Sequence, residues 1–478
     1  MMANSARDPY WQAAVRREVL DHPEAAAEIE DECATCHMPM SRFEERIATG
    51  KGQVFAHLPI GERTSRLAEL AADGVSCTLC HQITEENFGV RESFNAGFVI
   101  DTETAMGSRA AFGPYDVDAG LSTVMHSASG FRQTASVHIQ KSELCATCHT
   151  VYTEALGPDG TVVGELPEQV PYLEWQHSVY REEATCQSCH MPAVAESTAI
   201  SSVLGQNRAK VSRHVFQGGN FFMLRMLNRY RQLLSVEALP SELEAAAQRT
   251  EKHLQSETAR LLIRHTPHVP DTLDVAVHVE NLAGHKLPTA YPSRRSWIHF
   301  MVRDADQTLL FESGRIEPTG AIQGNANDED PREYEPHYQE ITQPDQVQIY
   351  EAMMADADGG VTTGLLSAVR YVKDNRLLPK GFDKATASED IAVRGLAADD
   401  TDFDSGGDTV QYRISVQGRK GPFTVRAVLW YQPISYRWAR NLERYDAPET
   451  SRFTRLYASM AHVSGIPLAS DGTVVPAR

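Results

Sequence analysis

The spacing of apolar residues divides the 478-residue chain into three regions. At the start, helical spacing up to Asp21-His22-Pro23 predicts a helix within residues 1–32. Its apolar positions are Trp11, Val15, Val19 and Leu20. From Cys33 to about Asn220, glycine and proline are frequent and long periodic runs are few. We therefore expect residues 1–220 to form an irregular, partly helical domain.

The second region, residues 221–265, returns to helical spacing. The run Phe221-Phe222-Met223-Leu224-Arg225-Met226-Leu227 predicts a helix over residues 221–236, ahead of Pro240. A second helix is predicted from Ser241 to about Arg264, with Ser241 and Glu244 as its capping box. We interpret the two helices as a helical connector between two domains.

The third region, residues 266–478, alternates apolar and polar positions. The clearest case is a predicted half-buried strand in which Leu273, Val275, Val277 and Val279 share one face. Further strands are predicted at Trp297–Arg303, Leu309–Glu312, Val410–Val416 and Phe423–Tyr431, and long polar loops at 323–340 and 396–408. Short strands with turn-rich separations favour an antiparallel β-sandwich of the immunoglobulin-like type. The predicted fold class is therefore α+β and multidomain.

Acidic side chains outnumber basic ones. Forty-five basic against 64 acidic residues give a formal charge of -19, which argues against nucleic acid as a partner. An acidic surface favours encounter with positively charged redox partner proteins, although solubilising charge is an equally good interpretation. No apolar run approaches the length of a membrane span, so no transmembrane segment is predicted.

Four copies of one motif, Cys-x-x-Cys-His, use all eight cysteines. Two thiols three positions apart add to the two vinyl groups of one haem, and the adjoining histidine then reaches the iron. We therefore expect four covalently attached heme c groups. A Cys₄ zinc site and redox dithiols are the alternatives, but neither needs a histidine after every second cysteine. The copies are Cys33-Ala34-Thr35-Cys36-His37, Cys77-Thr78-Leu79-Cys80-His81, Cys145-Ala146-Thr147-Cys148-His149 and Cys186-Gln187-Ser188-Cys189-His190.

The iron ligands are predicted to be histidines. The proximal ligands are the motif residues His37, His81, His149 and His190. The candidates for the opposite side of each haem are His57, His126, His138, His214 and His285, with His177 as a weaker one. Met38, Met40 and Met191 lie beside or near proximal histidines, where they are badly placed to reach the opposite face of the same haem.

The second ligand separates an electron carrier from an enzyme. A haem with two histidines only exchanges electrons, whereas a vacant position binds substrate. Enough histidines are present to close every site, and no Cys-x-x-Cys-Lys variant occurs, so an electron carrier is favoured. The first alternative is an oxidoreductase of nitrogen-oxide or hydroxylamine type with one open haem. The second is a subunit of a cytochrome filament or another homo-oligomer.

The expected location is periplasmic or extracellular, because haem is attached to cysteines outside the cytoplasm. The start, Met1-Met2-Ala3-Asn4-Ser5-Ala6-Arg7-Asp8, lacks the basic and apolar segments of a signal peptide. A truncated N-terminus is the interpretation that reconciles the two observations.

Three segments resemble the multihaem cytochrome c superfamily, which includes hydroxylamine oxidoreductase and its tetrahaem electron acceptor. They are Gly74–His81, Ser142–His149 and the stretch from Tyr172-Leu173-Glu174-Trp175 to Met191-Pro192. The resemblance covers roughly the first 220 residues and implies closely stacked haems, mostly with two histidine ligands. Ser178-Val179-Tyr180 departs from it, because many relatives place a histidine there.

Two further loops carry weaker resemblances. Gly284-His285-Lys286-Leu287-Pro288-Thr289 is similar to a loop of β-rich domains appended to multihaem cytochromes, which implies that His285 is a ligand supplied from the neighbouring domain. Asp400–Gly406 resembles part of a calcium loop, but its glycine is one place late and Gln411 stands where the closing glutamate belongs. We therefore interpret that acidic segment as a solvated loop.

Overall fold

Helices and short strands alternate in the part of the chain that carries the haem motifs. The structure is a computed structural model and describes residues 1–48, 50–62, 65–265 and 271–476. Its elements up to residue 257 are α1 Pro9–Asp21, α2 Ala26–His37, α3 Pro39–Ala48, α4 Arg66–Ala72, α5 Cys77–Cys80, β1 Ala110–Gly113, α6 Ala119–Ser129, β2 Arg132–Ala135, α7 Ser142–His149, β3 Val151–Leu156, β4 Val162–Gln169, α8 Pro171–Gln176, α9 Tyr180–Glu183, α10 Cys186–His190, β5 Thr198–Ala199, β6 Asn207–Arg208, α11 Phe221–Arg229 and α12 Pro240–Glu257.

The remainder of the chain is dominated by strands. Its elements are β7 Ala259–His265, β8 Thr272–Asn281, β9 Arg295–Arg303, β10 Leu309–Ser313, α13 Ala326–Glu329, β11 Glu340–Ile341, β12 Ile349–Ala355, β13 Val361–Thr362, β14 Arg370–Asp374, β15 Gly407–Ser415, β16 Phe423–Gln432, α14 Tyr436–Asn441, α15 Pro448–Met460 and β17 Ile466–Val475. The chain is therefore mixed α+β, as its patterning predicts.

The strands of the second half form two sheets. The larger has the order β13-β12-β9-β16-β17, with β10 on β9 and β14 on β12, and the smaller has the order β11-β15-β8-β7. Pairing is antiparallel except between β11 and β15. The sheets meet face to face, since Phe300 of β9 and Tyr412 of β15 stack with ring centroids 3.8 Å apart. An immunoglobulin-like topology stays a prediction.

The alternating pattern locates its strands correctly. In β8 every second residue from Leu273 to Asn281 is buried, as the spacing predicts. The strands predicted at Trp297, Leu309, Val410 and Phe423 are confirmed as β9, β10, β15 and β16, with bounds that differ by no more than three residues. The start of the β-rich region, predicted at residue 266, lies outside the described residues.

The second helix of the predicted connector ends earlier than its spacing predicts. Helix α12 stops at Glu257, and residues 259–265 form strand β7, which pairs along β8. The adjacent apolar residues Leu261 and Leu262 satisfy helical and strand spacing equally well, so periodicity alone does not distinguish them. The capping box also lies elsewhere: Glu242 accepts the backbone N–H of Leu239 at 2.9 Å, ahead of Pro240.

One apolar cluster runs across the proposed domain boundaries. It joins Tyr10, Phe94 and Tyr172 from the motif region to Phe300 and Tyr412 between the two sheets. Helix α1 also contacts α15, where Tyr10 and Phe453 lie with ring centroids 5.0 Å apart. The domain limits at 220 and 265 stay predictions. In the part of the chain described, no helix combines the length and apolar character that a membrane crossing requires.

Candidate haem-binding site

Each motif lies on or at the end of a short helix. Cys33–His37 ends α2, Cys77–Cys80 forms α5, Cys145–His149 ends α7, and Cys186–His190 forms α10. On a helix, residues three and four apart share a face. The two thiols and the imidazole of each motif therefore lie on one side of their helix, where they can hold one planar group.

Three motif histidines have a ring nitrogen held by a backbone carbonyl. The Nδ1 atom of His81 lies 2.6 Å from the Phe112 carbonyl oxygen. In His190 the partner is the Gln217 carbonyl at 2.5 Å, and in His37 it is the Ser5 carbonyl at 3.4 Å. A carbonyl accepts, so Nδ1 carries the proton and Nε2 keeps its lone pair. This is the arrangement that orients a metal-binding histidine. Burial lowers the pKa of His37 to about 4, which keeps its ring neutral.

The four motifs converge on the third. The thiols of Cys36 and Cys148 lie close enough to shift each other's pKa, and so do those of Cys145 and Cys186. The Cys80 thiol interacts electrostatically with Cys148. Helix α7 therefore adjoins each of the other three attachment segments, although up to about 110 residues of sequence separate it from them.

The third motif leaves its imidazole accessible to solvent. The His149 side chain is exposed, yet burial among surrounding protein lowers its pKa to about 4. Several large apolar side chains between residues 100 and 210 are also exposed: Met106, Val137, Val203 and Leu204 are all at least 68% exposed. An accessible imidazole next to two thiols on one helix fits the attachment of a porphyrin.

A second imidazole faces two of the motif histidines. The ring centroids of His190 and His285 are 6.2 Å apart with planes 16° apart, and those of His81 and His214 are 6.1 Å apart with planes 29° apart. A histidine nitrogen lies about 2 Å from a bound metal, so two rings on opposite sides of one metal have centroids roughly 6 Å apart. Both pairs match this separation. Burial lowers the pKa of His285 to about 4 and that of His214 in the same direction.

The other predicted ligands hold Nε2 in hydrogen bonds within the protein. The partner is Glu45 for His57 at 2.7 Å, the Gly107 carbonyl for His126 at 2.5 Å, and the Ile83 carbonyl for His138 at 2.8 Å. In His177 it is the Asp383 carbonyl at 2.8 Å. These four histidines stay predictions, without the geometric support that His214 and His285 have.

Two aromatic rings lie beside motif histidines at positions that the sequence analysis did not identify. Trp11 lies flat against His37 with ring centroids 4.4 Å apart, and His253 lies 6.5 Å from His190 with planes 59° apart. Helical spacing assigns Trp11 to the core, and His253 lies within a helix, so sequence alone gives neither a place beside a motif. Both are identified only by long-range packing.

The alternatives to haem receive little geometric support. In the described part of the chain, no three cysteine or histidine ligand atoms of the motifs lie within 4.8 Å of one another, whereas a Cys₄ zinc site needs four converging thiolates. The motifs thus bring thiols together in pairs and not in the tetrahedral sets that bind zinc.

A different group of possible metal ligands lies in the β-rich region. His337, Asp400 and Asp408 are buried, with ligand atoms within 4.8 Å of one another. The interpretation of Asp400–Gly406 as a solvated loop is therefore wrong at Asp400, which is 1% exposed. His337 Nδ1 accepts from the amides of Gln348 and Asn375 at 2.8 and 3.1 Å. Nε2 must then carry the proton of the neutral ring and donate to Asp400 at 3.1 Å, which leaves no lone pair for a metal.

Comparisons with known proteins give one structural similarity. No protein-family model matches the chain, and no curated protein matches it. Among solved structures, the penta-haem cytochrome c552 from Thermochromatium tepidum matches with a TM-score of 0.49 and 14% sequence identity, over 93% of this chain and 83% of that chain. Because this similarity is weak, the haem assignment rests on the four Cys-x-x-Cys-His motifs of the chain itself.

Proposed function

We propose that the protein is an electron-transfer cytochrome with four covalently bound c-type haems. The observation that carries the proposal is the convergence of the other three Cys-x-x-Cys-His segments on α7. When bound, the haem irons supply one-electron chemistry between Fe(II) and Fe(III). The protein contributes the thiols that fix each haem, the imidazoles that ligate it, and the burial and charge that set its potential.

The facing imidazoles assign two of the ligand pairs. We assign His81 with His214 to the second haem and His190 with His285 to the fourth. In each pair the motif histidine keeps Nε2 free because Nδ1 binds a carbonyl. The distal ligands of the first and third haems are proposed from His57, His126 and His138, each of which would exchange its present hydrogen bond for the iron.

The proposed location is outside the cytoplasm, and the proposed partners are redox proteins. Covalent attachment to cysteine supports the location, and the formal charge of -19 supports a positively charged partner surface. The β-rich region packs against the motif region through the apolar cluster that includes Tyr172 and Tyr412, and we propose that it supports the haems and docks partners.

Mass spectrometry and low-temperature electron paramagnetic resonance of the mature, oxidised protein test the proposal. We expect a mass equal to the polypeptide plus four haems, and low-spin signals with two-histidine character. Replacing Cys145 and Cys148 with serine should remove one haem from the mass, and replacing Ser142 with alanine should remove none. A protein without a Soret band, or with the mass of the bare polypeptide, would refute it.

The same measurement decides the alternative with an open haem. A facing imidazole is described for His81 and His190, so the first and third haems are where an exchangeable position would lie. A high-spin signal that responds to nitrite or hydroxylamine would indicate an oxidoreductase. Four low-spin signals that ignore both ligands would support the carrier.

A further inference from the structure

Four buried charged side chains lie in and beside the loop that carries His285. Glu174 of α8, Lys286 of the loop, and Asp374 and Arg376 at the end of β14 are between 0 and 6% exposed. Lys286 Nζ lies 2.7 Å from Asp374 Oδ2, Arg376 contacts both oxygens of Asp374 at 2.8 and 2.7 Å, and Arg376 Nη1 lies 2.9 Å from Glu174 Oε1. We name these four residues the Glu174 cluster.

The charges of the Glu174 cluster balance. Two carboxylates face two cations, which is the condition under which buried charges persist. Burial acts to raise the pKa of Asp374, but Arg376 and Lys286 outweigh it and hold that pKa well below its usual range. Breaking such a network by removing one partner is far more damaging than losing an exposed ion pair. The four side chains therefore hold one another in place through short contacts between buried groups.

Glu174 connects this network to both ends of the His285 loop. Its Oε2 accepts the backbone N–H of Lys286 at 3.1 Å and the hydroxyl of Thr289 at 2.5 Å. The loop is also held from α9, where Tyr180 donates its hydroxyl to the Leu282 carbonyl at 3.0 Å. Helix α8 of the motif region thus holds a loop of the β-rich region through hydrogen bonds.

The same contacts orient the His285 ring. Its Nδ1 lies 2.9 Å from the Lys286 carbonyl, so the ring is tied to the residue whose side chain enters the Glu174 cluster. The His285 carbonyl accepts from the amide of Asn281 at 2.9 Å. Nε2 is the ring nitrogen left to face His190.

Resting on the proposed function, we propose that the Glu174 cluster is the positioning device that holds His285 opposite His190. Through it, the β-rich region sets the ligation and redox potential of the haem attached at Cys186 and Cys189. The two regions are then coupled at one haem, and the other three are insensitive to the cluster.

The test compares two glutamates that each pair with a buried cation. Glu174→Gln removes the carboxylate that grips the loop, and Glu351→Gln is the matched control, because Glu351 pairs with the buried Lys373 at 3.0 Å. We expect Glu174→Gln to shift one of four waves in a redox titration and to change the resonance spectrum of one haem. Glu351→Gln should leave both unchanged. The inference is overturned if Glu174→Gln shifts no redox wave, or if Glu351→Gln shifts the same wave as Glu174→Gln.

A milder pair of variants covers the case in which Glu174→Gln does not fold. Thr289→Val removes the hydroxyl that bonds Glu174, and Thr289→Ser keeps it. We expect the valine variant to shift the same wave by a smaller amount and the serine variant to restore it. Equal behaviour of the two would overturn the role of the Glu174 contact.

A double variant shows whether the cluster acts through His285. His285→Ala should change the same haem more strongly than Glu174→Gln, and the double variant should behave as His285→Ala alone. Additive effects would overturn the inference. The proposed function fails separately, because it requires four haems by mass in every one of these variants.

Discussion

The indole of Trp11 lies flat against the imidazole of His37, with planes 2° apart. Trp11 comes from α1 and His37 from the end of α2, so the contact fixes the orientation of the proposed first proximal ligand. We expect Trp11→Ala to cost about 3–5 kcal/mol of the free energy of unfolding, the usual loss for a buried aromatic. Chemical unfolding followed by circular dichroism measures it.

The spectroscopic consequence of Trp11→Ala separates orientation from stability. A ring free to rotate should broaden the paramagnetic resonance signal of one haem, and Trp11→Phe should retain both the stacking and the sharp signal. A Trp11→Ala protein that is destabilised but spectroscopically unchanged would show that the indole serves packing alone.

His214→Ala should open one coordination position. His214 faces His81 at 6.1 Å, and alanine removes the second imidazole while leaving the attachment cysteines intact. Because an open ferrous haem binds carbon monoxide and a two-histidine haem does not, we expect the variant to bind one more carbon monoxide per chain than the parent. Titration of the reduced protein, followed in the Soret band, counts the sites.

His278→Ala is the control for that titration. His278 lies in β8, where its Nδ1 is 3.1 Å from the Thr409 hydroxyl, and the structure gives it no contact with a motif histidine. Its removal should leave the carbon monoxide count unchanged. An unchanged count in His214→Ala would show that His214 is not a ligand.

Asp8 should make stability depend on pH between about 4 and 6. Its carboxylate caps α1 by accepting the N–H of Tyr10 at 2.9 Å, but burial dominates and raises its pKa from 3.8 to about 6. Folding thus favours the neutral acid. Its contribution to stability is complete below the unfolded pKa of 3.8 and is lost as the pH rises through about 6.

Asp8→Asn tests this dependence because the amide oxygen keeps the cap without the charge. We expect the variant to gain stability over the parent as the pH rises from 4 to 7, by no more than about 3 kcal/mol. The lost attraction between a carboxylate and a helix N-terminus, about 0.5 kcal/mol, is too small to reverse the sign. Urea midpoints of both proteins at several pH values measure the difference, and a constant difference would contradict the expectation.

Electron exchange with a positively charged protein should slow as salt is added. The formal charge of -19 attracts cationic partners over a Debye length that falls from about 30 Å at 0.01 M to about 8 Å at 0.15 M salt. We expect at least a roughly tenfold fall in the association rate with a small basic cytochrome over this range. Stopped-flow mixing with anionic ferricyanide is the control and should show the opposite trend.

The attachment residues could be proposed from the sequence because each motif is contiguous. Two cysteines and a histidine within five positions state their chemistry without any knowledge of the fold. The partners of those histidines could be proposed only as a set, since pairing His190 with His285 requires the fold of both regions. The buried ion pairs of Glu174 and Lys286 could not be predicted from the sequence, because a single charged residue is normally at the surface.

The strands show the same division between local and long-range information. Strand β8 has one buried face and alternates, so its pattern is visible. Strand β12 is buried at all seven positions from Ile349 to Ala355, which leaves no alternation to detect. Strand β17 contains Pro467 and Gly472, two residues that argue against a strand when the pairing with β16 is unknown.

The packing of α1 on α15 has a consequence for maturation. Arg16 of α1 pairs with Glu449 of α15 at 2.8 Å, so the surface on which α1 rests is made by residues synthesised more than 400 positions later. Until those residues emerge, α1 can pack only on nearby segments such as α2, where Trp11 meets His37, and it lacks its contacts with α15. The proposed attachment of haem to Cys33 and Cys36 at the end of α2 therefore has its easiest access before α15 closes over α1.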